Sequence, residues 1–528
     1  MSMSELTHLQ SLVQGHRLSR RAFLGRATAL GLSLTAAGTL YGKALKAATP
    51  QRGGTLIAGL VGGETSNSLD PATFASQVPY WFGKSWGDQL IQTEPGTGAP
   101  IPGLAESWEG SDDVKTWVFK IRSGVTFHNG KTLEGADVVA TIERHSDENS
   151  KSGALGLLGG IEKISADGNT VTVTLKEPNA DLPLLLSDYH LIIQPDGGKD
   201  APAAGIGTGP YIVEVTEHGV RYAAKKNPNY WRDDSYFDAV ELLVINDATA
   251  RAAALQSGQV HIINRVEPKT ANLLKQMAGV VIENVGGKAH YVFIMHCNAA
   301  PFDNADLRLA LKLAMDREAM VQNVLQGFGT VGNDFPINKA YDLFPEGIEQ
   351  RLYDPDKAAF HYKKSGHSGS ILLRTSDVAF PGAVDAAVLY QQQAGKAGIT
   401  IEVQQEPGDG YWNNVWNVQP FSTSYWGGRP TQDQMYSTAY ISTADWNDTR
   451  FLRPDFDKII QEARGELDRA RRAELYRAAA LMVRDEGGLI LPMFNDWIDA
   501  HSDKLQGYVK DGSGEQSNGY VMRRAWLV

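Results

Sequence analysis

Trp117-Val118-Phe119-Lys120-Ile121-Arg122-Ser123-Gly124-Val125-Thr126-Phe127-His128-Asn129-Gly130-Lys131 carries two local signals. Residues 117–121 have strand character. Residues 125–131 read as a second strand closing in an Asn-Gly turn, where glycine accepts positive φ, so His128 is expected to be a surface or turn residue. Outward along the chain, strand-like runs recur at 55–60, 171–175, 240–245, 291–295 and 399–403, with helical segments between them. One helix is expected over 306–326, capped by Asp303 or Asn304, with Leu307, Leu311, Ala314 and Met315 as its apolar stripe and Gly327 as its stop. Asp455 and Asp468 are expected to cap two more, with Ile459, Ile460 and Ala463 inward on the first and Leu475, Leu481 and Met482 on the second. Strands alternating with helices indicate α/β domains.

The first fifty residues bear on the compartment. Arg20-Arg21-Ala22-Phe23-Leu24 precedes sixteen uncharged residues, 27–42, that are rich in Gly, Ala, Ser and Thr. The pattern resembles a twin-arginine export signal. It is too short and too weakly apolar for a span that needs about 20 apolar residues, so it reads as a removable signal. Lys43 and Lys46 stand beside the expected cleavage site at Ala47-Ala48, where positive charge disfavours the ordinary secretory route.

Removing residues 1–48 takes six of the 50 basic and one of the 61 acidic residues, leaving 44 against 60 and a net charge of −16. Nucleic acids and anionic membranes need a positive field, so neither is an expected partner. The one cysteine, Cys297, permits no internal disulfide and does not follow the signal, so no lipid anchor is expected and the location read from the sequence is the periplasm. Cys297 itself reads as a small buried hydrophobe. With 42% hydrophobic and 9% aromatic residues the chain can bury sizeable cores, and its length calls for two or three domains.

A family resemblance runs over nearly the whole mature chain. Its blocks are Leu104-Ala105-Glu106-Ser107-Trp108-Glu109, the segment 117–131 quoted above, Asp137-Val138-Val139, Gly207-Thr208-Gly209-Pro210-Tyr211, Asn227-Pro228-Asn229-Tyr230-Trp231, and Pro301-Phe302-Asp303-Asn304 leading to Arg308, Ala310 and Asp316-Arg317. Together they resemble the extracellular solute-binding protein family 5, whose members capture dipeptides, oligopeptides, opines or nickel for ABC importers. Each block has a structural use, and Asn229-Tyr230-Trp231 is expected to fasten a loop to the core. The resemblance implies an α/β, two-lobed periplasmic-binding-protein clamp of type II with an extra subdomain. By that analogy residues 1–48 are the signal, 49–76, 202–288 and 495–528 the first lobe, 77–201 the extra subdomain and 289–494 the second lobe. The chain would then cross between lobes near Gly286-Gly287 and near 492–496. The implied partners are a small-molecule ligand and an inner-membrane ABC permease, with a chemoreceptor as an open addition; the implied state is a monomer without cofactor or metal.

For the ligand, residues 411–446 hold four of the eleven tryptophans, Trp412, Trp416, Trp426 and Trp446, together with Tyr411, Tyr425, Tyr436 and Tyr440. In Tyr425-Trp426-Gly427-Gly428-Arg429-Pro430 the glycines allow close approach, the indole offers a flat face, and the guanidinium offers a planar fork for a carboxylate or phosphate. The competing reading makes these aromatics core and pairs Arg429 with an acid such as Asp433. Dipeptide-binding relatives carry an acidic residue three positions after this tryptophan, where this chain has Arg429. They carry an arginine in a loop that aligns with Asp377. That inverted polarity favours a small anionic or zwitterionic ligand, such as a peptide-like, opine-like or acidic sugar conjugate. Two alternatives stay open: an exported hydrolase using a pair of cleft carboxylates, and a peptide binder of unusual specificity. No Gly-x-Ser-x-Gly, His-Glu-x-x-His or zinc-spaced cluster supports an enzyme.

Overall fold

The computed structural model describes residues 20–30, 37, 40, 49–74, 76–96, 98–408 and 411–528. Arg20 and Arg21 open a helix, Arg20–Ala29, whereas Lys43, Lys46 and the expected cleavage site lie outside the described residues. Among the described residues no helix is long and apolar enough to cross a membrane.

The expected α/β, two-lobed architecture is present, organised by two long antiparallel strands, Val280–Met295 and Leu489–Ser502. Residues 280–286 pair with 496–502, and residues 290–294 pair with 489–494; between them the ladder shifts register at 287–289. Beside the first paired run lie Ile262–Ile263, Thr55–Leu60, Ala239–Val244, Arg221–Lys226 and Tyr211–Glu217, in that order. Beside the second lie Phe421–Trp426, Ile371–Thr375 and Ile401–Gln405, while Gly329–Val331 pairs on the other side.

The apolar run at 291–295 is explained by burial on both faces. Side chains alternate across a strand, so Phe293 and Met295 enter one core with Leu311 and Tyr390. Val292 and Ile294 enter the other with Tyr436 and Leu475. Thr55–Leu60 does the same beside the first paired run, with Leu56, Ala58 and Leu60 on one side and Ile57 on the other. A separate four-stranded antiparallel sheet, Ala105–Gly110, Thr116–Ile121, Thr170–Leu175 and Ile161–Asp167, has one covered face. There Trp117, Phe119 and Ile121 pack on Val171, Val173 and Leu175, while Val118 is exposed.

Several expectations need correction. Residues 125–131 form a turn with one isolated bridge, Thr126 to Thr132, and not a strand; Gly130 does sit at φ 87°. His128 lies in that turn as expected, half-buried, its Nε2 2.9 Å from the Gly209 carbonyl. The helix expected over 306–326 is two, Ala305–Leu313 and Arg317–Asn323. Asn304 caps the first. Asp316 caps the second by accepting from Ala319 N at 3.0 Å, and Arg317 donates to the carbonyls of Lys312 and Met315 left open at the break. Asp468 caps Arg469–Glu486 as expected, but Asp455 lies within the first turn of Pro454–Gly465 and pairs with Arg453.

The family blocks converge on buried Asp88. It accepts from Arg523 Nη1 at 2.8 Å, Thr208 Oγ1 at 2.9 Å and Trp231 Nε1 at 3.1 Å, and Asn227 Nδ2 donates to the Gly209 carbonyl at 3.1 Å. A Cβ on Gly207 or Gly209 would come within 2.5 Å of Trp86 backbone atoms. Cys297 packs beside the second-lobe core, and burial pushes its thiol pKa up, which keeps it inert.

Candidate ligand-binding site

The strand Phe421–Trp426 pairs with 290–295, and all its side chains but that of Tyr425 are buried. Trp426 is only 4% exposed and belongs to the core. Its Nε1 donates at 3.2 Å to the same Asp448 oxygen that accepts from Trp416 Nε1 at 3.0 Å. Asp448 is fully buried, and desolvation pushes its pKa up to about 7. Trp446 packs edge-on to Trp416 at 6.1 Å, and Trp412 does the same at 5.9 Å. Trp446, Trp412 and Tyr425 are the accessible members, 50%, 37% and 39% exposed, and the last two lie 5.6 Å apart between ring centroids. Tyr411 is buried, its hydroxyl donating to Thr423 O at 2.8 Å.

Gly428 has φ +78°, and a Cβ there would lie 2.5 Å from Lys288 Cβ, so both conformation and space require glycine; Gly427 is in open surroundings. Arg429 is half-buried, with its guanidinium carbon 5.7 Å from the Trp426 ring centroid. Its backbone N–H donates to the Tyr341 hydroxyl at 3.0 Å, and Nη1 donates to the Gly428 carbonyl at 2.7 Å. Among the described residues no carboxylate lies within 4.0 Å of this guanidinium. Asp433, the acid that would have made Arg429 structural, pairs with Arg464 at 3.1 Å.

The charge of Arg429 acts to lower the pKa values of nearby Asp188 and Tyr189. Burial works against the Asp188 carboxylate, but His190, 2.6 Å away, holds its pKa below the usual value. Tyr189 packs against Tyr80 with ring centroids 4.4 Å apart and planes tilted by 51°. Arg265, paired with Glu515 at 2.7 Å, faces Tyr425 and Tyr291, and Tyr291 stacks on Phe380 at 4.3 Å. Arg429 is thus close enough to act on Asp188 and Tyr189, and Arg265 on Tyr425 and Tyr291. Asp377, two residues beyond Ile371–Thr375, is exposed and accepts from Gln405 Nε2 at 3.2 Å; no contact joins it to Arg429 among the described residues.

The carboxylates that could suggest hydrolysis are occupied. Glu515 serves Arg265 and Asn264, and Asp499 accepts from the Tyr508 hydroxyl and the Gln516 N–H, both acids being buried. Burial pushes Asp499 well above the usual carboxylate value. No group of three or more metal-binding side chains occurs among the described residues.

Residues 99–448 match the bacterial extracellular solute-binding proteins, family 5 (middle region), and the chain belongs to that family. It is 27% identical to the heme-binding protein A of Haemophilus influenzae over 474 residues, 81% of this chain and 85% of that protein. With the dipeptide-binding protein of Escherichia coli it shares 25% identity over 483 residues, 84% and 88% of the two chains. Among solved structures, Helicobacter pylori DppA in complex with the peptide STSA matches with TM-score 0.80 at 21% identity, covering 90% of this chain and 98% of that one. AgaA of A. tumefaciens R10 in complex with agropinic acid matches with TM-score 0.79 at 24% identity, covering 90% and 99%. At these identities the structural likeness is one of fold. The relatives and the fold are those of solute-binding proteins serving ABC importers, not of enzymes.

Proposed function

We propose that this protein captures a small anionic or zwitterionic solute, peptide-like, opine-like or an acidic sugar conjugate, and delivers it to an inner-membrane ABC permease without turning it over. The observation that carries this reading is the Arg429 guanidinium, held beside Trp426 with no carboxylate within 4.0 Å among the described residues. Tyr425 and Trp412 supply accessible ring faces and Gly427 and Gly428 allow close approach, while Trp416 backs the ring cluster and Asp377, bonded to Gln405, would reach the ligand only from outside this group. A desolvated charge-assisted hydrogen bond is worth roughly 1.5–3 kcal/mol, so Arg429→Ala should weaken anion binding about ten- to a hundred-fold. Arg429→Lys should recover part of the loss, since an ammonium lacks the bidentate fork. Calorimetric titration with glutathione, agropinic acid and the molecule released from freshly purified protein by denaturation would decide it. Undiminished affinity in a folded Arg429→Ala protein removes Arg429 from the site, and product formation in place of stoichiometric saturation favours the hydrolase.

The segments 49–76, 202–288 and 495–528 are the first lobe in this reading, 77–201 its extra subdomain and 289–494 the second lobe, hinged where the two long strands lose register. Ligand should shift the open–closed equilibrium toward the closed form. Small-angle scattering should then show a smaller radius of gyration at saturating ligand than in ligand-stripped protein; an unchanged radius from an open free form contradicts a hinged clamp.

In this reading the protein is exported to the periplasm by the twin-arginine route, supported by Arg20-Arg21-Ala22-Phe23-Leu24 ahead of the uncharged run 27–42. Replacing Arg20 and Arg21 together by lysine should leave precursor in the cytoplasm on fractionation, and normal periplasmic accumulation would overturn the route.

A further inference from the structure

Residues 287–289, where the long strands lose register, lie directly against the Gly427-Gly428-Arg429-Pro430 loop. Lys288 makes the connection. Its ammonium donates to the Pro430 carbonyl at 2.8 Å and sits 4.4 Å from the Tyr341 ring centroid. Its Cβ and carbonyl occupy the space that a Cβ on Gly428 would need. Tyr341, 3% exposed, accepts the Arg429 N–H, so its ring supports Lys288 while its hydroxyl fixes Arg429.

The other contacts of the crossing are equally close. Asn338, three residues before Tyr341, donates Nδ2 to the Gly287 carbonyl at 2.9 Å. A Cβ on Gly287 would lie 2.4 Å from Trp497 Nε1, which donates to the Gly512 carbonyl at 3.1 Å. The Lys288 carbonyl lies 3.0 Å from His290 Nδ1, and His290 is the strand partner of Trp426. Burial holds the Lys288 pKa down to about 8, and the ammonium has no carboxylate within 4.0 Å among the described residues.

We infer that Lys288 and Tyr341 form a clasp that ties the position of the Arg429 loop to the conformation of the interlobe crossing. The inference rests on the reading of 287–289 as a hinge and of Arg429 as a ligand group. With the clasp made, moving the Arg429 loop moves Lys288 and with it the crossing. An anion drawn to Arg429 therefore bears on closure through Lys288 as well as through its own contacts with the facing lobe. Lys288 is a positioning residue: it touches the loop backbone, not the ligand.

Hydrogen exchange on the free, full-length protein tests the clasp without any ligand. Lys288→Met keeps the stem and loses the ammonium contacts; Tyr341→Phe keeps the ring and loses the acceptor for Arg429 N–H. In Lys288→Met, peptides covering 284–290 and 427–432 should both exchange about five- to tenfold faster, the effect of losing about one hydrogen bond. In Tyr341→Phe the acceleration should be confined to 427–432. Lys288→Arg should restore protection at both segments. The quantity compared is the ratio to a peptide from the 211–226 hairpin, which a general loss of stability would accelerate equally. Acceleration at only one segment in Lys288→Met, or an unchanged ratio, overturns the clasp, whereas failure of the ligand reading would appear in the Arg429→Ala titration instead.

Discussion

Asp334→Ala is expected to destabilise the protein by about 3–5 kcal/mol, the usual cost of removing one partner from a buried charge network. Asp334 is 0% exposed and has φ 59°. Its two oxygens accept from Arg317 Nη2 at 2.7 and 2.6 Å, Arg351 Nε lies 2.9 Å away, and Leu491 N donates to Oδ1 at 3.0 Å. Burial also holds the nearby Lys312 ammonium down to about 7 even with Asp334 present to favour its charge. Alanine would take the carboxylate from Arg317 Nη2 and the Leu491 N–H and the neutralising charge from buried Arg351, which still donates to Asp485, while Asp334→Asn would retain the acceptor for Leu491 and lose less.

Despite burial, Arg317 and Arg351 hold the Asp334 pKa below the usual carboxylate value. Its contribution is thus present above the unfolded pKa of about 3.9 and lost as pH falls through the folded value. In thermal melts at neutral pH the alanine variant should fall by roughly 6–20 °C, at 2–4 °C per kcal/mol for a unit of this size. A shift below about 2 °C would mean that these charges are hydrated and not interlocked.

The parts of the fold legible in the sequence were those with a local cause. The 291–295 run is apolar at every position because alternate residues serve two cores, and Asn304 and Asp468 cap helices through their own side chains. The break at residues 314–316 had a visible signal in Asp316-Arg317. It was outweighed by an apolar stripe that continues through Ala314 and Met315, both buried beside the break. Segment 125–131 has strand composition, but its backbone bonds go to the 207–209 loop and to its own turn, with His128 N donating to Gly207 O. That partner is remote in sequence.

The site divides in the same way. An aromatic-rich region with Gly-Gly-Arg was visible, but composition cannot say which face of a strand meets the cleft: Trp426 turns into the core and Tyr425 out of it. Arg265 and Glu515 meet across 250 positions, and Tyr341 lies in irregular chain with no period to mark it. The pairing of Asp433 with Arg464, which leaves Arg429 without an acid partner, depends on the packing of Gln432–Ala439 against Pro454–Gly465.

Asp448 is expected to make the protein less stable as pH rises from about 4 to about 7, the opposite of the Asp334 effect. Its carboxyl is 0% exposed; one oxygen accepts both indole N–H groups, and the other has no partner among the described residues. Two indole dipoles do not replace a cation, and Arg450, the nearest one, donates to the carbonyls of Asn447 and Asn417 instead. With the folded pKa raised by burial to about 7 and the unfolded one near 3.9, the folded chain holds a proton between these values that the unfolded chain has lost. Stability therefore falls across that window and levels off above it, by an amount on the order of 4 kcal/mol, since each pH step of one between the two values costs about 1.4 kcal/mol. Asp448→Asn keeps an oxygen for both indoles and puts an uncharged amide where the unpartnered oxygen stood, so it should abolish this part of the pH dependence. Melts of the two proteins at pH 5 and pH 8 should then differ little at the lower pH, with the asparagine variant the more stable at the higher. A transition in tryptophan emission near pH 7, present in the native protein and absent from the variant, would place the titrating proton between Trp416 and Trp426. Identical pH profiles for the two proteins would show that the carboxyl is ionised throughout and solvated by groups other than these indoles.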